Sequence, residues 1–579
     1  MKKLILVLLL FIPLSLSATQ WFVSPTGDDT NDGTASDDDH AWGTFGKGFN
    51  DESVLAGDTV YFMGGVYYKV LAEGDDDWYY PARSANGTGY NVTRSGTIDD
   101  TTKFWAYPGE TPILDDDNVI PPNVSHWGIY ARDVDYVWFK GLTVRNVWSV
   151  NELVECTAWE IRGSNNIIEN CNVYNIHGHG FESMYGNNIY FKNCDAYECC
   201  DSLWSSPGQQ GTGFSANNPS GRSSPVYFYG CRAWKCSDQG FSFGSVSLVS
   251  VNRCWSFNNG DLVGGGHGFK LGYTVALETI DPQRIVTNCI AAYNRESGIT
   301  TNTNVTKVAQ ALNIYNNTVY KNGWDGWAPG GYGIYIYNTA SSDALELLQV
   351  FKNNISYDNE VGNIYVATNA SYTHEYNSWD DPPDVTVTDG DFISVDSAGL
   401  AGARTAWGGL PILTFLHIAE GSDLIGAGVN VENYYDGDSL YHNIPPDLGA
   451  FAYSAVEPSP PEYPQVTTAI TSIASIRVIA TGTSIDDGGG EVSAKGICWD
   501  TSTNPTTSDN IVPAGSGTDD FSCTLIVPAN TTIYVSAYVT NETATTYGAV
   551  VQVDTPLTSP VIDDSGNVVL DDSGIIIIE

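Results

Sequence analysis

One pattern returns along the middle of the chain: a short alternating strand, a polar corner, then a second short strand. It reads "NNIIENCNVYN" at 165–175, "NNIYFKNCDAYEC" at 187–199, "SPVYFYGCRAWKC" at 224–236, "SLVSVNRCWSFNN" at 247–259 and "QRIVTNCIAAYN" at 283–294. Weaker copies follow at 312–322 and 348–359. A strand-only unit of this size cannot bury its apolar face alone. Stacked copies can, so the repeat specifies a parallel β-helix with variable loops inserted between coils.

Aligned on this pattern, Cys171, Cys194, Cys231, Cys254 and Cys289 share a column, at successive spacings of 23, 37, 23 and 35 residues. Matching positions on neighbouring coils lie roughly 4.8 Å apart, one inter-strand distance. That stacking suits small buried thiols, while in-register β-pairs match disulfide geometry poorly and no CxxC pair repeats with zinc spacing. The column therefore reads as an inward ladder. Cys199, Cys200 and Cys236 are the best placed for a bridge.

Two more columns follow from the same alignment. Seven residues after each ladder cysteine stand Gly178, Asp201, Asp238, Asp261 and Glu296. Each coil then carries a glycine–hydrophobic–x step whose last residue is Glu182, Ser215, Ser242, Lys270 or Thr300. Strand alternation turns that last residue outward. Lys270, in "GHGFKLGY" at 266–273, thus stands on an exposed sheet face beside hydroxyl side chains, near an acidic column.

A lysine there is conspicuous, because 25 lysines and arginines face 68 aspartates and glutamates, a formal net charge of −43. Such a charge argues against nucleic acid and anionic membranes as partners. Charged residues are only 16% of the chain, below the roughly 25% usual for globular domains, and turn formers abound, as in all-β proteins. The opening "MKKLILVLLLFIPLSLSA" (1–18) reads as a secretory signal peptide, and no later segment is apolar enough to span a bilayer. A secreted protein without membrane insertion, and a monomer, is expected.

With these motifs in place, the sequence resembles the right-handed β-helix pectate lyases of polysaccharide lyase family 9. The opening "WFVSPTGDDTNDGT", "AGDTVYFMGGVYY" and above all "GHGFKLGY" carry the resemblance, which extends over about residues 21–453. It implies that Lys270 is the catalytic base of a β-elimination on an acidic polysaccharide, with His267 where the family has asparagine. The family's calcium ligands match in part. Asp238 is kept, whereas Thr212, Gln239 and Ser242 stand where the family has aspartates. A rebuilt calcium (Ca2+) site would draw on Asp238, Asp201, Asp261 and Glu182.

β-Elimination removes the proton next to the uronate carboxylate and expels the neighbouring glycosidic oxygen. The base must be a neutral amine, so a lysine with the usual pKa of about 10.4 needs either a lowered pKa or an alkaline medium. The carboxylate must also be neutralised, by a metal or by cationic side chains. Arg253 and Arg295 lie in suitable coils, and with His267 and Tyr273 they are the expected substrate-binding residues. Two alternatives stay open: a glycoside hydrolase using Asp201 and Asp238 as acid and base, and a non-catalytic carbohydrate-binding β-helix.

The expected organisation is all-β: a right-handed parallel β-helix over 19–455, a Pro-rich linker at 456–464, and a small β-sandwich at 465–556. The sandwich resembles fibronectin type III-like modules in "KGICWDTSTNPTTSD", and its Cys498 and Cys523 are either bridged or two buried thiols. A repeated Asp-Asp-Ser-Gly tail fills 557–579.

Overall fold

The computed structural model describes residues 18–556, except 69–78, 81–86, 117–124, 149–155, 204–205, 218–224, 245–247, 261–263, 273–283, 302–310, 325–329, 338–348, 369, 371, 406–407, 432–436, 438–444, 454–464, 475–476, 487–491, 504, 508 and 542–544. The signal peptide, the linker and the tail fall outside the described residues. The chain divides into two compact units, one of residues up to 455 without 404–407, the other of those four residues and 456 onward.

Three sheets of twelve, ten and eleven strands run the length of the first unit. In the middle coils each coil gives one strand to each sheet, and these strands pair in parallel with their counterparts one coil before and one coil after; at one end of the third sheet Tyr79–Tyr80 pairs antiparallel with Gly87–Asn91. In one coil, for example, Val226–Tyr229 belongs to the first sheet, Arg232–Trp234 to the second and Phe241–Phe243 to the third.

The first corner explains the asparagine in the repeat. Asn170, Asn193, Asn288, Asn316 and Asn353, with Gly230 and Arg253, form one column with φ between +52° and +61°. This left-handed conformation suits glycine and asparagine and is uncommon for arginine.

Inside that corner lies the cysteine ladder. Cys171, Cys194, Cys231, Cys254 and Cys289 are each at most 1% exposed, and the strands they introduce are in register. The same column continues as asparagine. Asn317 accepts the Cys289 amide at 3.0 Å, Asn354 accepts the Asn317 amide at 3.0 Å, and Asn377 accepts that of Asn354 at 2.9 Å. A second ladder runs from Cys236 through Asn259, Asn294, Asn322 and Asn359 by the same bond. Each side-chain carbonyl satisfies a buried N–H that the corner leaves without a strand partner. All eleven cysteines are free thiols, so the bridges considered for Cys199, Cys200 and Cys236, and for Cys498 with Cys523, are not formed. Burial pushes the Cys171 thiol up to about 12.

The third sheet turns an aromatic spine inward. Trp159, Phe181, Phe214, Phe241 and Phe269 follow one another with ring centroids 5.8, 5.2, 4.9 and 4.9 Å apart. Alternation then sends the next residue of each strand outward, which positions the functional face.

Described residues of the first unit between 389 and 453 cover part of the second sheet, in an apolar cluster joining Trp234, Phe257 and Tyr320 to Phe392, Phe415 and Leu448. Arg232, 2% exposed, forms a two-pronged pair with Asp195 at 2.8 and 2.6 Å. It also donates to the carbonyls of Leu400 and Gly402 at 2.9 and 2.8 Å. The second unit consists of antiparallel strands around a core that includes Val478, Ile497, Leu525 and Val535.

Candidate active site

Register pairing sets out the functional column residue by residue. Glu160 pairs with Glu182, Glu182 with Ser215, Ser215 with Ser242, Ser242 with Lys270, and Lys270 with Thr300. Glu182, Ser215, Ser242 and Lys270 line a cleft of about 260 Å³. Asp238, Gln239, Thr212, Gln210 and His179, which precede the column along their coils, line one side. Ala216, Asn217 and Gly244, which follow it, line the other. The cleft therefore runs across the strands, with Lys270 at one end and Glu182 at the other. Beyond Lys270, Thr300 is fully buried, and Tyr335 and Tyr365 continue the column with rings 4.7 Å apart.

Lys270 is half-buried, and among the described residues it is the one lysine or arginine that lines the cleft. Hydrogen bonds hold the adjoining polar groups. Asp238 Oδ1 accepts from Gln239 Nε2 at 2.6 Å and from the Gly265 amide at 2.8 Å, while Thr212 donates to Gln239 Oε1 at 3.4 Å. His179 Nε2 lies 3.1 Å from Gln210 Oε1, an acceptor, so that nitrogen carries the proton.

The other sequence candidates divide. Asp238 lies in the cleft with Lys270. Tyr273 and Asp261 lie outside the described residues. Asp201, 1% exposed, accepts the Leu203 amide at 3.0 Å and does not line the cleft. Arg253 occupies the left-handed corner between the first and second sheets and bonds to the Tyr229 hydroxyl, so it sits away from Lys270's sheet. Arg295 donates to the Gly264 carbonyl at 3.0 Å. His267 is 8% exposed; its Nδ1 accepts the Ser297 amide at 3.2 Å, which leaves Nε2 to donate to Glu296 at 2.9 Å. That histidine braces the turn before Lys270. His179, Gln210 and Asn217 line the cleft and were not among the expected residues. The "GHG" at 178–180 was the available signal for His179, while Gln210 and Asn217 sit next to loops that follow no repeat.

Calcium takes about six to eight oxygen ligands, usually with more than one carboxylate. Among the described residues, no group of three or more histidine, cysteine, aspartate or glutamate side chains is arranged to hold a metal. Asp238 Oδ1 already faces two N–H donors. Thr212, Gln239 and Ser242 bring no charge. The described donors do not fit the family's ion.

A parallel β-helix with a polar cleft across one sheet is a scaffold that polysaccharide lyases use, and here Lys270 lines that cleft. The chain belongs to the family of Pel9A-like right-handed β-helix proteins, whose model matches residues 21–377. It is 30% identical to pectate lyase L of Dickeya chrysanthemi over 337 residues, 56% of this chain and 69% of that protein. With pectate lyase PEL9 of Emericella nidulans it shares 24% over 430 residues, 64% and 87% of the two chains. Among solved structures, pectate lyase Pel9A superposes with a TM-score of 0.58 at 23% identity, covering 76% of this chain and 98% of that one. A rhamnogalacturonan lyase superposes at 0.56 with 25% identity, covering 70% and 97%. The protein is a lyase, and the hydrolase and non-catalytic alternatives give way to that assignment.

Proposed function

We propose that the protein is a secreted lyase that cuts a uronate-containing, pectate-like polymer by β-elimination, with Lys270 as the base. One observation carries this reading: Lys270, the one lysine among the described residues that line the cleft, sits in the motif by which the chain resembles the family and in a sheet column paired on both sides. Neutral Lys270 takes the proton from the carbon beside the sugar carboxylate. The electron pair left behind forms the carbon–carbon double bond, the glycosidic carbon–oxygen bond breaks, and the departing oxygen takes up a proton. Hydroxyl and amide donors around Lys270, from Ser242 and Gln239, are suited to the charge that spreads onto the carboxylate during proton removal. The names of the relatives support a pectate-like substrate, and the leader at 1–18 supports export. Among the described residues, no helix is long and apolar enough to cross a membrane. Calcium has no step in this scheme.

Lys270→Ala tests the reading. It should lower formation of unsaturated product by about 10²–10⁴-fold, the usual contribution of a general base, with the melting temperature unchanged. Unsaturated product at the wild-type rate would place the base elsewhere.

A further inference from the structure

The cleft belongs to the third sheet, while the outward face of the first sheet carries a surface of another kind. Five successive strands of that sheet are in register: Thr102–Ala106, Val137–Lys140, Ile167–Glu169, Ile189–Lys192 and Val226–Tyr229. Phe104, Phe139, Ile168, Phe191 and Phe228 join the core, so alternation turns their neighbours outward. Two outward columns result. One reads Lys103, Trp138, Ile167, Tyr190, Tyr227, and the other Trp105, Lys140, Glu169, Lys192, Tyr229.

Three observations bear on what this face binds. The first is its charge: three lysines accompany one carboxylate, in a chain where 68 acids outnumber 25 lysines and arginines. The second is how loosely those lysines are held. The Lys140 and Lys192 side chains are 41% and 44% exposed, and their Nζ atoms lie 3.8 and 4.0 Å from the same Glu169 oxygen, beyond hydrogen-bond reach. One carboxylate thus serves two ammonium groups. The third is the aromatic lining. Lys103 and Lys140 Nζ each lie 5.5 Å from the centre of the Trp105 ring, and Lys140 lies 5.6 Å from that of Trp138. Further along, Tyr190 and Tyr227 stack at 4.5 Å, and Tyr190 is 39% exposed.

We propose that this face is a second binding surface, which holds a chain of uronate-containing polysaccharide apart from the cleft and without cutting it. The inference goes beyond the lyase reading and takes only its choice of polymer from it. Strands step by roughly 4.8 Å, and a sugar unit of an extended glycan advances by about one such step. A chain crossing these strands therefore sets carboxylates against the lysines and sugar C–H faces against the rings. A bilayer or a nucleic-acid duplex presents a broad anionic surface to a protein of net charge −43, whereas a single glycan follows the stripe. Holding polymer here raises its effective concentration at the cleft.

Affinity electrophoresis of the full-length protein, in gels with and without polygalacturonate, tests this, with unsaturated product measured alongside and thermal unfolding reporting on the fold. Lys103→Gln, Lys140→Gln and Lys192→Gln together should weaken binding at least about tenfold, the sum of three exposed ion pairs, and leave the rate on a short uronate oligomer unchanged. Glu169→Gln removes the carboxylate and should strengthen binding by about two- to fivefold, a gain that an unfolded variant would not show. Tyr190→Ala should weaken binding by about two- to tenfold, the scale of one aromatic contact. Unchanged retardation of the folded triple variant overturns the inference, and so does a folded Glu169→Gln that binds no tighter. A Tyr190→Ala protein that binds like the wild type reduces the face to a general polyanion patch and overturns its assignment to a glycan. Wild-type protein that follows the expected binding pattern yet forms no unsaturated product overturns the lyase reading alone.

Discussion

The carboxylate of Asp238 holds the side-chain amide of its neighbour Gln239 at 2.6 Å. Where the family resemblance implies two acids sharing a cation, this chain has an acid satisfied by a neutral donor. Chelation should therefore leave the elimination rate unchanged, and added calcium should not raise the melting temperature. A ligand present at about 100 times its dissociation constant would stabilise the fold by about 2.7 kcal/mol, well within the reach of a thermal scan. A calcium-dependent rise would reveal a site completed by residues such as Asp261.

If Lys270 is the base, Lys270→Ala should be nearly inactive, and a small primary amine added to the solution should restore part of the rate. Added amine that leaves Lys270→Ala inert while accelerating the wild type would count against the assignment.

The thiol ladder predicts an alkaline weakness. In the fold the Cys171 thiol is pushed up to about 12 from an ordinary 9.0. The unfolded chain therefore gives up that proton first, and stability should fall as pH rises above about 9. Native protein should resist iodoacetamide, with the half-buried Cys200 reacting before the others. Denatured protein should label at all eleven cysteines. Rapid labelling of the native ladder would show that the coils open readily.

Asp195→Ala should destabilise the β-helix by about 3–5 kcal/mol, because it leaves the Arg232 guanidinium buried without its carboxylate. Combining it with Arg232→Met should recover much of that loss. Denaturant midpoints of the two variants measure the difference.

Asn317→Ala removes the acceptor of the Cys289 amide and breaks the donor chain to Asn354. A cost of about 1–3 kcal/mol is expected for the buried N–H left unpaired. Asn317→Cys, which resembles the coils before it, should cost less.

Much of the β-helix was written locally. Strand alternation fixes which side chains turn inward, and repetition fixes which residues stack, so the Cys171–Cys289 ladder and the Glu182–Lys270–Thr300 column could be aligned from sequence alone. The tertiary structure decided what repetition does not encode. Arg253 belongs to the right coil, yet its backbone takes the left-handed corner position and its guanidinium goes to Tyr229. His267 precedes Lys270 by three residues, yet its ring nitrogens are taken by Ser297 and Glu296 from the next coil. The cover over the second sheet joins Arg232 to Gly402, 170 residues away, through segments that share no period. Alternation and stacking act between residues whose spacing the sequence displays. The direction of a long polar side chain, by contrast, depends on which donors and acceptors the fold brings within hydrogen-bond reach.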